Sequence, residues 1–162
     1  MSKDTLRQKQ LRILLIGDAC TDVYIFGTCD RLSPEAPVPV FKKETEDRRS
    51  GMSLNVKNNL VSFGFKVTSF HNSENITKTR IVDRKFNQHL IRIDDEVEVK
   101  RIDTSKFTKQ FAANFDALVI SDYNKGFLSC DDIKEITSLF KSLSIPIFAD
   151  TKKRDLSCFK GS

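Results

Sequence analysis

Residues 117–149 read ALVISDYNKGFLSCDDIKEITSLFKSLSIPIFA, and the fold class follows from this stretch. Ala117 to Ile120 is a short aliphatic run of the kind that fills a buried parallel strand. Asp131 to Leu143 places Ile133, Ile136, Leu139, Phe140 and Leu143 at spacings of three and four, the apolar stripe of a helix. Ser129 and Asp132 stand where a capping box would open it, and Ile145 to Ala149 reads as a second strand. Strand, helix and strand in this order form a βαβ unit, so the chain is expected to be α/β around a parallel sheet.

Working outward, Leu11 to Ile16 is another aliphatic run, and it stops at Gly17-Asp18. Asp18, Asp122 and Asp150 each follow a predicted strand directly, so three acids are expected at one rim of the sheet. Ligands of open α/β sheets collect at that rim. Ser53 to Phe63 reads as a helix closed by Gly64, with Phe65 to Phe70 as the strand after it.

Between these elements lies a different texture. Pro34, Pro37 and Pro39 punctuate the segment from Ser33 to Phe41, which excludes a helix or a central strand. Short β pieces outside the main sheet are expected there, with Tyr24, Phe26, Val38 and Phe41 on one apolar side. Thr77 to Asp83 and His89 to Ile93, joined by a turn at Asn87-Gln88, are expected to complete a small β-lid. Lys42, Lys43, Arg48 and Arg49, interleaved with Glu44, Glu46 and Asp47, read as a solvated loop.

The 162 residues fit one domain, and 39% hydrophobic with 30% charged residues is a globular composition. No apolar run reaches the length of about 20 residues that a membrane span requires, and Met1 to Gln10 lacks a signal-peptide core, so a cytoplasmic protein is expected. Cys20, Cys29, Cys130 and Cys158 form no C-x-x-C pair; with only His71 and His89 beside them, they read as reduced thiols with no metal site. The net charge of +5 is dispersed among acids, which favours small anions over nucleic acid as ligands.

Three groupings carry candidate chemistry. Asp22, four residues past Asp18, is a bidentate acceptor suited to vicinal hydroxyls, or equally a surface charge beside a turn-capping Asp18. Ser50-Gly51-Met52-Ser53-Leu54-Asn55-Val56 is a small-residue loop opening a helix, where an anion or hydroxyl could dock. Ser121-Asp122-Tyr123-Asn124-Lys125-Gly126 sets an acid, an amide and a lysine in one turn, and with Lys152 beyond Asp150 it offers a phosphate cradle.

Read together, these segments resemble the PfkB/ribokinase family and its heptose-phosphate kinase branch. Arg31-Leu32-Ser33-Pro34-Glu35-Ala36-Pro37-Val38-Pro39-Val40 is similar to the branch's R-I-S-P-E-A-P-V-P-V lid segment. Gly17-Asp18 through Asp22 resembles its opening GD-x-x-x-D, and Gly51 to Val56 its G-G-x-x-N-V loop, with Met52 replacing a glycine. Thr77-Lys78-Thr79-Arg80 and Gln88 to Asp94 resemble T-K-x-R and Q-x-L-x-R-x-D, Ser121 to Gly126 resembles S-D-Y-x-K-G, and Asp150-Thr151-Lys152 resembles D-P-K.

The resemblance implies a Rossmann-like, ribokinase-type parallel sheet with helices and a β-lid built from about 23–43 and 77–95, all within one partial domain over 1–162. It implies an ATP-dependent kinase with Mg2+, phosphorylating the anomeric hydroxyl of a heptose 7-phosphate. Asp22, Glu35, Gly51, Asn55, Lys78, Arg80, Asp122 and Lys125 would bind the sugar phosphate, and Asp150 and Lys152 the nucleotide. The family's G-A-G-D anion hole and catalytic base have no match, so no catalytic residue is assigned and the nucleotide-binding part is expected from elsewhere, in a second chain or a longer one. A homodimer through the lid is implied too. A second reading is a non-catalytic sugar-phosphate-binding or dimerisation module.

Overall fold

The computed structural model describes residues 10–160; the polar start at 1–9 and the final Gly161 and Ser162 lie outside the described residues. Two four-stranded sheets share the chain. In the core sheet, β1 (Arg12–Gly17), β4 (Lys66–Phe70), β7 (Ala117–Asp122) and β8 (Ile147–Thr151) run in the order β4-β1-β7-β8, every neighbouring pair parallel. The expected βαβ unit is present, its helix α3 (Cys130–Ser142) opened by a complete capping box between Ser129 and Asp132. Leu14, Ile16, Leu118 and Ile120 pack with Ile133, Ile136 and Phe140 into the core, all essentially closed to water. Their spacing of two on the strands and three or four on the helix is what turns them all to one interior.

The second sheet is the lid: β2 (Ala19–Leu32), β3 (Pro39–Met52), β5 (Thr77–Asp83) and β6 (Gln88–Asp95), in the order β3-β2-β5-β6. Its first part corrects the expectation of short pieces over about 23–43, because β2 and β3 are 14 residues each and pair from Ala19↔Met52 to Leu32↔Pro39. Pro34 and Pro37 fall in the connecting turn and Pro39 is the first residue of β3, so no ladder amide is lost where one is needed. The presumed solvated loop Lys42 to Arg49 is therefore strand, bent by irregularities next to Phe26/Gly27 and Thr28/Arg31. The turn before β6 spans 84–87, so Gln88 belongs to the strand, and Asn87 takes the left-handed conformation at φ 50°.

Helix α1 (Ser53–Ser62) connects lid to core, and a short helix α2 (Lys109–Ala112) brings Phe111 edge-on to Phe70 and Phe107. Among the described residues no helix is long and apolar enough to cross a membrane.

The crossing from core to lid happens at Gly17, whose missing side chain lets β1 lie against β7: a Cβ there would collide with the backbone carbonyl of Ser121. Backbone cannot yield as a side-chain tip can. Gly17→Ala is expected to lower the urea midpoint, at a cost of about 1–3 kcal/mol typical of overpacking; an unchanged midpoint would show that the two strands are not held this closely.

Candidate active site

Period-two alternation turns Asp22 and Tyr24 of β2 to the same face of the lid, together with Arg49 of β3, Lys78 and Arg80 of β5 and Arg92 of β6. Register then builds a row of alternating charge across four strands: Arg49 opposite Asp22, Asp22 opposite Lys78, and Lys78 opposite Asp94. One residue pair further along, the Tyr24 ring lies between two guanidinium groups, with Arg49 Cζ 4.9 Å and Arg80 Cζ 5.1 Å from its centroid. Arg80 Nη1 donates to Asp22 Oδ1 at 2.5 Å.

The core supplies the opposite wall. Asp18, buried at the tip of β1, accepts from the backbone N–H groups of Tyr123 (2.7 Å), Lys125 (3.3 Å) and Phe127 (3.4 Å), and so shapes the turn after β7. Burial pushes its carboxyl above the ordinary value, with the Lys125 and Tyr123 amides acting against it and neighbouring Asp122 adding to the rise. From that turn Lys125 Nζ donates to Glu96 Oε1 at 2.5 Å, and the same oxygen accepts from Lys78 Nζ at 3.0 Å. Glu96 thus joins lid to core. Lys78 is largely buried, which lowers an ammonium's affinity for its proton, yet Glu96 and Asp94 outweigh burial and hold it above its usual range. Asp94 is pulled down to about 2, chiefly by Arg92.

The third wall is the entrance to α1. Gly51 lies against Asp22 and Cys20, where a Cβ would meet the carboxylate and the thiol. Met52 follows at φ 52° and ψ −129°, a conformation that costs an L-residue with a side chain about 1–3 kcal/mol. Asn55 sits in the first turn of the helix beyond.

These walls enclose a cavity of about 590 Å³ lined by five cationic side chains (Arg49, Lys78, Arg80, Arg92 and Lys125) and one carboxylate, Asp22. Of the residues expected from sequence, Asp22, Gly51, Asn55, Lys78, Arg80 and Lys125 all line it. Glu35 does not: it is exposed in the turn at the far end of the β2–β3 hairpin. Asp122 is buried behind the Tyr123–Lys125 turn, where it accepts from Thr151 Oγ1 (2.7 Å) and the Asn124 N–H (2.9 Å). Asp150 and Lys152 are exposed at the end of β8, outside the cavity. Tyr24, Arg49, Arg92 and Glu96 were missed. For Tyr24, Arg49 and Arg92 the signal lay in strand register, which places Arg49 beside Asp22 once Lys42 to Arg49 is read as strand; Glu96, just past the end of β6, has no such signal.

No protein-family model matches the chain. Among solved structures it superposes on phosphofructokinase-2 from Escherichia coli in complex with potassium, with a TM-score of 0.57 and 10% identity over 92% of this chain and 56% of that one. The same enzyme in complex with fructose-6-phosphate gives 0.55 over 92% and 57%. The fold is that of the PfkB/ribokinase-type carbohydrate kinases. In sequence the chain is similar to the bifunctional protein HldE of Blochmanniella pennsylvanica, 32% identical over 93% of this chain and 37% of that protein, and to HldE of Haemophilus influenzae, 28% identical over 100% and 40%. The chain thus spans about two fifths of the length of these curated relatives.

Met52 separates two energies at one position. Met52→Ala and Met52→Gly both remove the buried side chain, but only glycine also relieves the positive φ. Met52→Gly is expected to be the more stable of the two by about 1 kcal/mol, the reverse of their order in a helix; urea melts with alanine the more stable would show that no strain resides there.

Proposed function

We propose that the chain holds the acceptor sugar phosphate of a heptose 7-phosphate kinase, the branch its lid motifs resemble. The observation that carries this reading is the cavity: one carboxylate and one helix-entry amide among five cations suit a ligand with both hydroxyls and a phosphate. Asp22 and Asn55 are assigned to hydroxyls, Gly51 to close backbone approach, and Lys78, Arg80 and Lys125 to the anionic end. Glu35 stays with the lid tip and Asp122 with the turn behind Lys125. In a reaction of this class the acceptor is held still, shielded from water, while the phosphoryl group arrives from the nucleotide.

ATP with Mg2+ is what the resemblance implies as donor, and Asp150 and Lys152 are the residues assigned to it. Among the described residues no group of three or more His, Cys, Asp or Glu is gathered, and Mg2+ bound with a nucleotide takes one or two carboxylates together with the phosphates. The chemistry proposed for the cavity residues is acceptor binding. Synthesis of a nucleotide-activated heptose in the cytoplasm is the setting this reading suggests.

We also propose a homodimer through the lid. Ile91 and Ile93 lie on the face opposite the cavity and are about half exposed, at 53% and 50%, alongside Thr79 and Ile81. Apolar side chains paired across strands and left open to water favour a second surface.

Isothermal titration with heptose 7-phosphate tests the site. Asp22→Ala is expected to weaken binding by at least about tenfold, since a charge-assisted hydrogen bond is worth about 1.5–3 kcal/mol. Lys125→Ala is expected to weaken the phosphorylated sugar and leave the unphosphorylated heptose unaffected. Unchanged affinity in both variants would remove the cavity from the reaction. For the lid, Ile91→Lys is expected to halve the mass measured by light scattering, and a mass identical to the unsubstituted protein's at all concentrations would remove the dimer.

A further inference from the structure

Of the acids paired with the five cations of the cavity, one spans the two sheets. Asp47 engages Arg49, Asp22 engages Arg80, and Asp94 engages Lys78 and Arg92, all within the lid. Glu96, just past the end of β6, instead gives a single oxygen, Oε1, to a lysine from each side: Lys78 Nζ of the lid at 3.0 Å and Lys125 Nζ of the turn after β7 at 2.5 Å. Both lysines line the cavity, and Glu96 stands behind them. Resting on the acceptor site described above, we propose that Glu96 is the positioning residue that makes Lys78 and Lys125 one phosphate-binding pair, so that the preference for a phosphorylated over an unphosphorylated sugar depends on a carboxylate outside the cavity.

Because they share that oxygen, the two ammonium nitrogens lie within two hydrogen-bond lengths of each other, and like charges this close repel unless an anion stands between them. The two lysines depend on Glu96 unequally. Lys78 has 9% of its side chain exposed and a second acceptor, Asp94 Oδ2 at 3.2 Å, so it keeps its place without Glu96. Lys125 extends from a turn with 25% of its side chain exposed, and its ammonium is held by Glu96. Without that pair, repulsion from Lys78 turns its flexible four-carbon stem toward water. An ammonium has three donors; Lys78 uses two and Lys125 one on these acids, so each retains an N–H for a phosphate oxygen while Glu96 stays in place. Lys125, followed by Lys78, in turn holds the Glu96 carboxyl below its ordinary range, so Glu96 is ionised at neutral pH.

Charge and positioning predict opposite signs for the loss of this acid. Taking a negative charge away from beside an anion site strengthens anion binding by Coulomb attraction alone. Losing the alignment of Lys125 with Lys78 weakens it, and weakens it for the phosphorylated sugar only.

Isothermal titration of Glu96→Gln with heptose 7-phosphate and with unphosphorylated heptose separates the two. Heptose 7-phosphate is expected to bind about tenfold more weakly, the scale of one charge-assisted hydrogen bond. Heptose is expected to bind as it does to the unsubstituted protein, which also shows that the variant is folded. Added to Lys125→Ala, Glu96→Gln is expected to weaken binding no further, because the lysine it aligns is gone. Heptose 7-phosphate bound by Glu96→Gln as tightly as before, or more tightly, overturns the proposal and leaves the acceptor site standing. So do additive losses in the double variant, and so does an equal loss of both sugars, which marks a role in the fold alone. No binding of either sugar by the unsubstituted protein removes the acceptor site, and the role of Glu96 with it.

Discussion

Everything at the cavity depends on one buried carboxylate. Asp18 sits where β1 ends and the lid begins, and its two oxygens accept three consecutive odd-numbered amides from the turn that follows β7. Each hydrogen bond to a charged group is worth about 1.5–3 kcal/mol, so the three amides recover part of the cost of taking the carboxylate out of water, although burial still holds its pKa above the ordinary value. The Asp18 backbone carbonyl also receives the Ser53 N–H at 2.9 Å, which fixes the start of α1. A single residue therefore sets the relative positions of the lid strand, the lysine turn and the helix entrance. The cavity is where those three meet.

The charge in that cavity is held in balance by acids set back from it. Lys78 and Lys125 share Glu96, Arg92 is paired with Asp94, and Arg49 with Asp47 at 2.7 Å. Exposed pairs such as Arg49 with Asp47 contribute little to stability. Their effect is on geometry, since each fixes a long flexible side chain in one orientation. Donors held in this way would lose less conformational freedom on engaging an anion.

Most of the core was legible in the sequence because its signals are local. Aliphatic runs ending in Gly-Asp or an acid gave β1, β7 and β8, and the three-and-four spacing with its capping box gave α3. The site was half legible. Asp22, Gly51, Asn55, Lys78, Arg80 and Lys125 emerged from motif resemblance, and the structure brings them to one cavity. The failure at Lys42 to Arg49 has a physical cause. Alternation of apolar and polar residues reveals a strand only when one face is buried in a hydrophobic core. Here nearly every side chain from Lys42 to Arg49 meets water and only Arg49 reaches the polar cavity, so the strand is written in charges and reads as a loop. Arg49 belongs to that stretch, and Tyr24, which reads from sequence as an apolar lid residue, has its ring between two guanidinium groups.

The lysines after β8 show how one residue of register decides a role. Lys152 occupies the motif position, yet its side chain is 57% exposed and reaches Asp150 at 3.5 Å and the face of Tyr123. Lys153, one residue on, is 15% exposed and pairs with the fully buried Asp122. A buried carboxylate cannot be left without a partner, because an uncompensated interior charge costs several kcal/mol. Thr151, on β8, donates its hydroxyl to the same carboxylate, so the end of β8 closes over Asp122 from two directions. The end of β8 is thereby a structural clamp on the lysine turn. Any group that engages Lys152 from outside does so on backbone that Asp122 already holds in place.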